Sequence, residues 1–119
     1  MNLTELSQNI YKSEKKRGYY RETQEKGTGL MLIVRELSEV LDADRRADFA
    51  DLDAYEQELK EENKDAYLNN ISGTFEEELA DSLIQLLSFC GSLKIDIQFF
   101  MDLKLKFKEN SPNLHNKQY

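Results

Sequence analysis

Residues 30–41 read Leu30-Met31-Leu32-Ile33-Val34-Arg35-Glu36-Leu37-Ser38-Glu39-Val40-Leu41. At about 100° per residue, Leu30, Ile33, Val34, Leu37 and Leu41 fall on one side of a helix, the main apolar stripe. Leu32, Glu36, Glu39, Val40 and Ala43 fall together on the opposite side. Apolar residues on both sides predict a helix over about 28–45 that is sandwiched between neighbours, with Glu36 and Glu39 facing protein rather than open water. Carboxylates in such a place need partners or a metal.

A second acidic pair lies downstream. Thr74-Phe75-Glu76-Glu77 reads as a capping box, in which the Thr74 hydroxyl and the Glu77 carboxylate satisfy each other's backbone N–H groups. The helix it opens carries Phe75, Leu79, Leu83, Leu86 and Cys90 on one face and Glu78, Asp81, Gln85 and Ser88 on another, and stops near Gly91. The i,i+3 spacing of Glu36/Glu39 and of Glu78/Asp81 puts both members of each pair on one helical face. When two such helices pack face to face, four carboxylates converge, and hard oxygen ligands of that number and charge suit magnesium or manganese. Spacing alone leaves a second reading open: in a chain with 23 acidic residues, Glu78 and Asp81 also fit a solvated polar stripe.

The remaining segments follow from periodicity and punctuation. Residues 3–16 place Leu3, Leu6, Ile10 and Tyr11 at helical spacing and run into Lys15-Lys16-Arg17-Gly18, a basic C-terminus with a glycine cap. Residues 18–27 have no period and form a loop whose Tyr19 and Tyr20 either pack back on the bundle or border a cleft. Residues 47–73 are polar and acidic, with one exposed helix over about 52–68, and read as an insertion or lid. Asp96 caps a last helix over about 97–109, and the tail, 111–119, is irregular. The fold class is all-α: a four-helix core with one inserted helix, joined by loops short enough for antiparallel neighbours.

At 119 residues the chain is expected to form one domain, 1–119. Charged residues at 33% against 39% hydrophobic give a surface generous relative to the core, as in amphipathic helices or in a protomer that completes its core by oligomerising. The net charge of −7 argues against a nucleic-acid polymer as ligand, and a polyanion would need a divalent cation between it and the protein. Cys90, in an apolar run, reads as a buried, reduced thiol. No stretch approaches the ~20 apolar residues that span a bilayer, and residues 1–5 lack the features of a signal peptide. A soluble, cytoplasmic protein without membrane contact is expected.

Glu36-Leu37-Ser38-Glu39 and Glu78-Leu79-Ala80-Asp81 are similar to the E-x-x-E and E-x-x-D hallmarks of the MazG-like, all-α nucleoside triphosphate pyrophosphohydrolases. Arg45, Phe75-Glu76-Glu77, Gly91 and Ile95-Asp96 around them match too, and Arg17-Gly18-Tyr19-Tyr20 resembles the family's Lys-Gly followed by aromatics. The resemblance implies a MazG-like bundle, with 47–73 as an insertion between the metal-binding helices, and a homodimer or homotetramer. It implies hydrolysis of a (deoxy)nucleoside triphosphate between the α- and β-phosphates, with Mg2+, or Mn2+ in its place, held by Glu36, Glu39, Glu78 and Asp81. One first-motif glutamate takes the proton of the attacking water, Glu36 in preference to Glu39, although the sequence does not rank them. Lys104, Lys108 and Lys117 are phosphate-contact candidates, Tyr19 or Tyr20 stacks on a base, and His115 is a substrate-contact candidate.

The tail departs from the family pattern. Where that pattern has K-x-x-Y-N-x-x-R-P-x-K-H-G-K, this chain has Lys104, Phe107, Lys108, Ser111, Pro112, Leu114, His115, Asn116 and Lys117. Lys108, Ser111 and Leu114 thus replace the family's Asn, Arg and Lys. The competing expectation is a non-catalytic helical interaction protein that keeps the bundle and the metal site.

Overall fold

The structure, a computed structural model, describes residues 2–18 and 25–111. Six helices follow in order: α1 (Leu3–Lys16), α2 (Lys26–Arg45), α3 (Leu52–Lys60), α4 (Ala66–Asn70), α5 (Phe75–Ser92) and α6 (Ile97–Glu109). Among the described residues there is no strand, and no single helix is long and apolar enough to cross a membrane.

Local chemistry sets most of the boundaries. The Asn2 side chain accepts from the Thr4 and Glu5 amides to start α1, and Gly18 ends it at φ +79°, a left-handed conformation that costs glycine little. Asp51 caps α3 and Asp96 caps α6. At the head of α5 the Glu77 amide donates to Thr74 Oγ1 at 3.3 Å, but the Glu77 carboxylate accepts from the Gly73 amide at 2.8 Å. The reciprocal bond of the expected capping box is therefore displaced by one residue.

The single helix expected over 52–68 is two. Lys60 ends α3, Glu62 turns the chain at φ 58°, and α4 folds back. The Glu58 carboxylate holds this hairpin by accepting from the side-chain amides of Asn63, Asn69 and Asn70. The Asn69 and then the Asn70 amide keep that carboxyl below its ordinary range.

The chain divides into two compact units, one of residues 1–19 and 87–119, the other of residues 20–86, and α5 contributes to both. In the first, α1 meets the last turns of α5 so closely that a Cβ on Gly91 would collide with the Ser7 carbonyl and stand 2.9 Å from Tyr11 Cβ. Ser7 and Ser88 are fully buried there. Cys90 is also buried, and burial pushes its thiol up. The base of α6 is tied to the start of α1: Thr4 Oγ1 donates to Asp96 Oδ1 at 2.6 Å and accepts from the Gln98 amide, while the Leu3 amide donates to Gln98 Oε1. Beyond this anchor every residue of 99–110 is exposed.

In the second unit, the buried side of α2 is Ile33, Glu36, Val40 and Ala43. The loop after α2 joins α5 through a Phe75 amide bond to the Asp48 carbonyl and a T-shaped Phe49–Phe75 contact with centroids 6.0 Å apart. Here the sequence expectation is corrected. Of the main stripe of α2 only Ile33 is buried; Leu30, Val34, Leu37 and Leu41 are about half exposed, as are Leu79, Leu83 and Leu86 on α5. The two helices are thus covered around Glu36 and Ser82 and open on their leucine sides. Among the described residues six hydrophobic side chains are buried, whereas twenty large ones are at least 40% exposed.

Candidate metal centre

Glu36 lies on the covered side of α2 because it is one turn from both Ile33 and Val40, whose burial carries it inward. Glu78 and Asp81 occupy the first turns of α5, on the side of buried Ser82. One carboxylate oxygen from each of Glu36, Glu78 and Asp81 lies within 4.8 Å of the other two. Glu39 is not in this trio. It is exposed, yet its carboxylate acts on Glu78, just as that of Glu36 acts on Asp81.

The electrostatics of this cluster are unfavourable without a cation. Burial, then the Glu39 carboxylate, pushes the Glu78 carboxyl up; burial, then the Glu36 carboxylate, does the same to Asp81, and the Gln85 side chain opposes this in part. Arg35 offers little relief, since its side chain is 66% exposed and its guanidinium stands 4.0 Å from Glu36 Oε1. Three convergent, hard, anionic oxygens with no histidine or cysteine among them fit a divalent cation of the magnesium or manganese class better than zinc.

A neighbour that the sequence reading passed over completes the surroundings. Tyr67, on α4, donates its hydroxyl to Glu77 Oε2, and this bond with burial pushes its pKa up to about 12. Glu77 is the residue before Glu78 and one turn before Asp81, and its charge acts on both. Tyr67 reads in sequence only as thin apolar content of an exposed helix. The contact depends on the break after α3, which periodicity does not show.

The other candidates are not part of the trio. Lys104 and Lys108 are exposed on α6, in the other unit, with the Lys104 ammonium 5.2 Å from the centroid of the Phe107 ring. Tyr19, Tyr20, His115 and Lys117 lie outside the described residues.

No known family model, curated protein or solved structure matches the chain.

Proposed function

We propose that the chain is a divalent-cation-dependent nucleoside triphosphate pyrophosphohydrolase of MazG-like type, working as a homodimer or homotetramer in the cytoplasm. The observation that carries the reading is the meeting of Glu36 from α2 with Glu78 and Asp81 from α5. A triphosphate would be repelled by these carboxylates alone, so a bound magnesium or manganese ion supplies the charge neutralisation and the acidification of water that the hydrolysis needs.

Glu36, Glu78 and Asp81 would hold that ion. Glu39, exposed beside Glu78, is open to water and takes the proton lost as the water oxygen bonds to phosphorus. The bridging oxygen between the α- and β-phosphates leaves with its electron pair on one product. Lys104, Lys108 and Lys117 for phosphate, Tyr19 or Tyr20 for the base and His115 are assigned by resemblance. The oligomer is supported by the twenty exposed large apolar side chains.

Pyrophosphate release from a panel of ribo- and deoxynucleoside triphosphates with magnesium tests the proposal. Turnover of at least one nucleotide is expected, reduced about 100-fold or more by Glu36→Gln or Asp81→Asn. Turnover of none, or turnover untouched by Glu39→Gln, overturns it. The altered tail, with Lys108, Ser111 and Leu114 in place of the family's Asn, Arg and Lys, favours the second reading of a non-catalytic interaction protein. Specific magnesium binding by calorimetry without turnover would select that one.

A further inference from the structure

Two apolar surfaces of this chain lie open, and they belong to units of opposite net charge. Residues 1–19 and 87–119 hold nine basic and five acidic residues, a net charge of +4; residues 20–86 hold seven basic and eighteen acidic ones, a net charge of −11. The first unit bears α6, anchored at its base and exposed throughout 99–110. At about 100° per residue, Phe99, Phe100, Leu103 and Phe107 share one face of α6, with Lys104 and Lys106 at its two edges. The second unit bears the exposed leucines of α2 and α5, with Lys26, Asp44 and Arg45 of α2 and Glu76 of α5 at or beside the same helical registers.

We propose that α6 of one copy of this chain docks on the exposed leucine surface of α2 and α5 of a second copy, in a two-fold exchange of arms. The inference deepens the homo-oligomer proposed above and is independent of the hydrolase chemistry. A second copy is the occupant that supplies both complements at once: an apolar arm edged by lysines, and an apolar surface in an acidic unit. Two identical contacts related by a two-fold axis close the assembly, so that neither surface is left to propagate a fibre. Burying leucine and phenylalanine supplies the affinity, and the charge asymmetry supplies orientation and a dependence on salt.

Sedimentation equilibrium of the full chain and three variants tests the proposal. The wild type is expected to dimerise, more weakly at high salt. An arm variant, Leu103→Glu with Phe107→Glu, and a surface variant, Leu37→Glu with Leu83→Glu, are each expected to be monomeric. Their substitutions fall on exposed positions, so far-ultraviolet circular dichroism should keep its helical signal. Mixing the two variants is the deciding measurement: the intact arm of the surface variant meets the intact surface of the arm variant, and a heterodimer forms. Lys104→Glu with Lys106→Glu, which leaves the apolar face whole, is expected to weaken association and remove its salt dependence.

A monomeric wild type, an arm variant that associates like the wild type, or a mixture that stays monomeric would each overturn the proposal. So would a monomeric wild type that co-sediments with phosphatidylserine vesicles, which would assign the arm to a membrane surface.

Discussion

Glu36 on α2 and Asp81 on α5 bring carboxylate oxygens within 4.8 Å of each other, and Glu78 joins them. The Glu78 and Asp81 carboxyls are raised above their ordinary values of 4.5 and 3.8. A raised value means that the stabilising contribution is full below the unfolded pKa and is lost as pH rises through the folded one. At neutral pH the metal-free protein therefore carries the cost of the repulsion. Glu78→Gln or Asp81→Asn should raise its Tm at pH 7 by about 3–6 °C, the shift that 1 kcal/mol makes in a chain of this length. Magnesium should raise the Tm of the wild type, and the same substitutions should abolish that rise. Thermal melts with and without magnesium check both; a lower metal-free Tm in each variant would count against the picture.

Tyr67 offers a second titration, at the alkaline end. Its hydroxyl donates to Glu77 and its pKa is pushed up to about 12. What that bond contributes is full below pH 10 and is lost between pH 10 and about 12. Because the residue is 49% exposed, the contribution is small, on the order of 0.5 kcal/mol. Tyr67→Phe should reduce stability by that amount at pH 8 and converge on the wild type near pH 12. Urea unfolding at the two pH values is the measurement, and an equal loss at both would contradict the assignment.

Gly91 sets the distance between α1 and α5. Replacing it with alanine gains about 1 kcal/mol of helix propensity. The added Cβ, however, meets the Ser7 backbone, which is held within its own helix, and overpacking of this kind costs up to about 3 kcal/mol. The clash wins: Gly91→Ala should destabilise by roughly 2 kcal/mol, read from the midpoint of urea unfolding. A stabilised variant would mean that the two helices separate freely.

Thr4 and Asp96 join the start of α1 to the start of α6 through a side-chain bond of 2.6 Å. Asp96 also caps α6, so Asp96→Ala should cost about 1–2 kcal/mol, more than Thr4→Ala. A double-mutant cycle is expected to show a coupling of about 1 kcal/mol. Strictly additive losses would show that the bond does not form in solution.

Much of this architecture was legible in the sequence, and the exceptions have physical causes. The end of α1 and the starts of α5 and α6 follow from Gly18, Thr74 and Asp96 because caps are local chemistry, while the Asn2 cap of α1 was passed over. The break between α3 and α4 rests on Glu58 reaching Asn69 and Asn70, eleven and twelve residues away, which no short window reports. On α2 the two-sided apolar pattern was visible, but which side is covered depends on what α5 presents to it. Hence Glu36 is buried as the pattern implied, while Glu39 and the leucine stripe are exposed. The i,i+3 spacing named all three residues of the carboxylate trio; Tyr67 joined its surroundings only through tertiary structure.

Cys90, buried among the last turns of α5, is the sole thiol of the chain. A thiol-specific reagent therefore has one target, and it reacts only when that target is uncovered. With reagent in excess the labelling rate becomes the rate at which the α1–α5 contact opens, and with reagent scarce it gives the fraction of molecules open at any moment. The protein thus carries its own clock for local unfolding, readable without any introduced label.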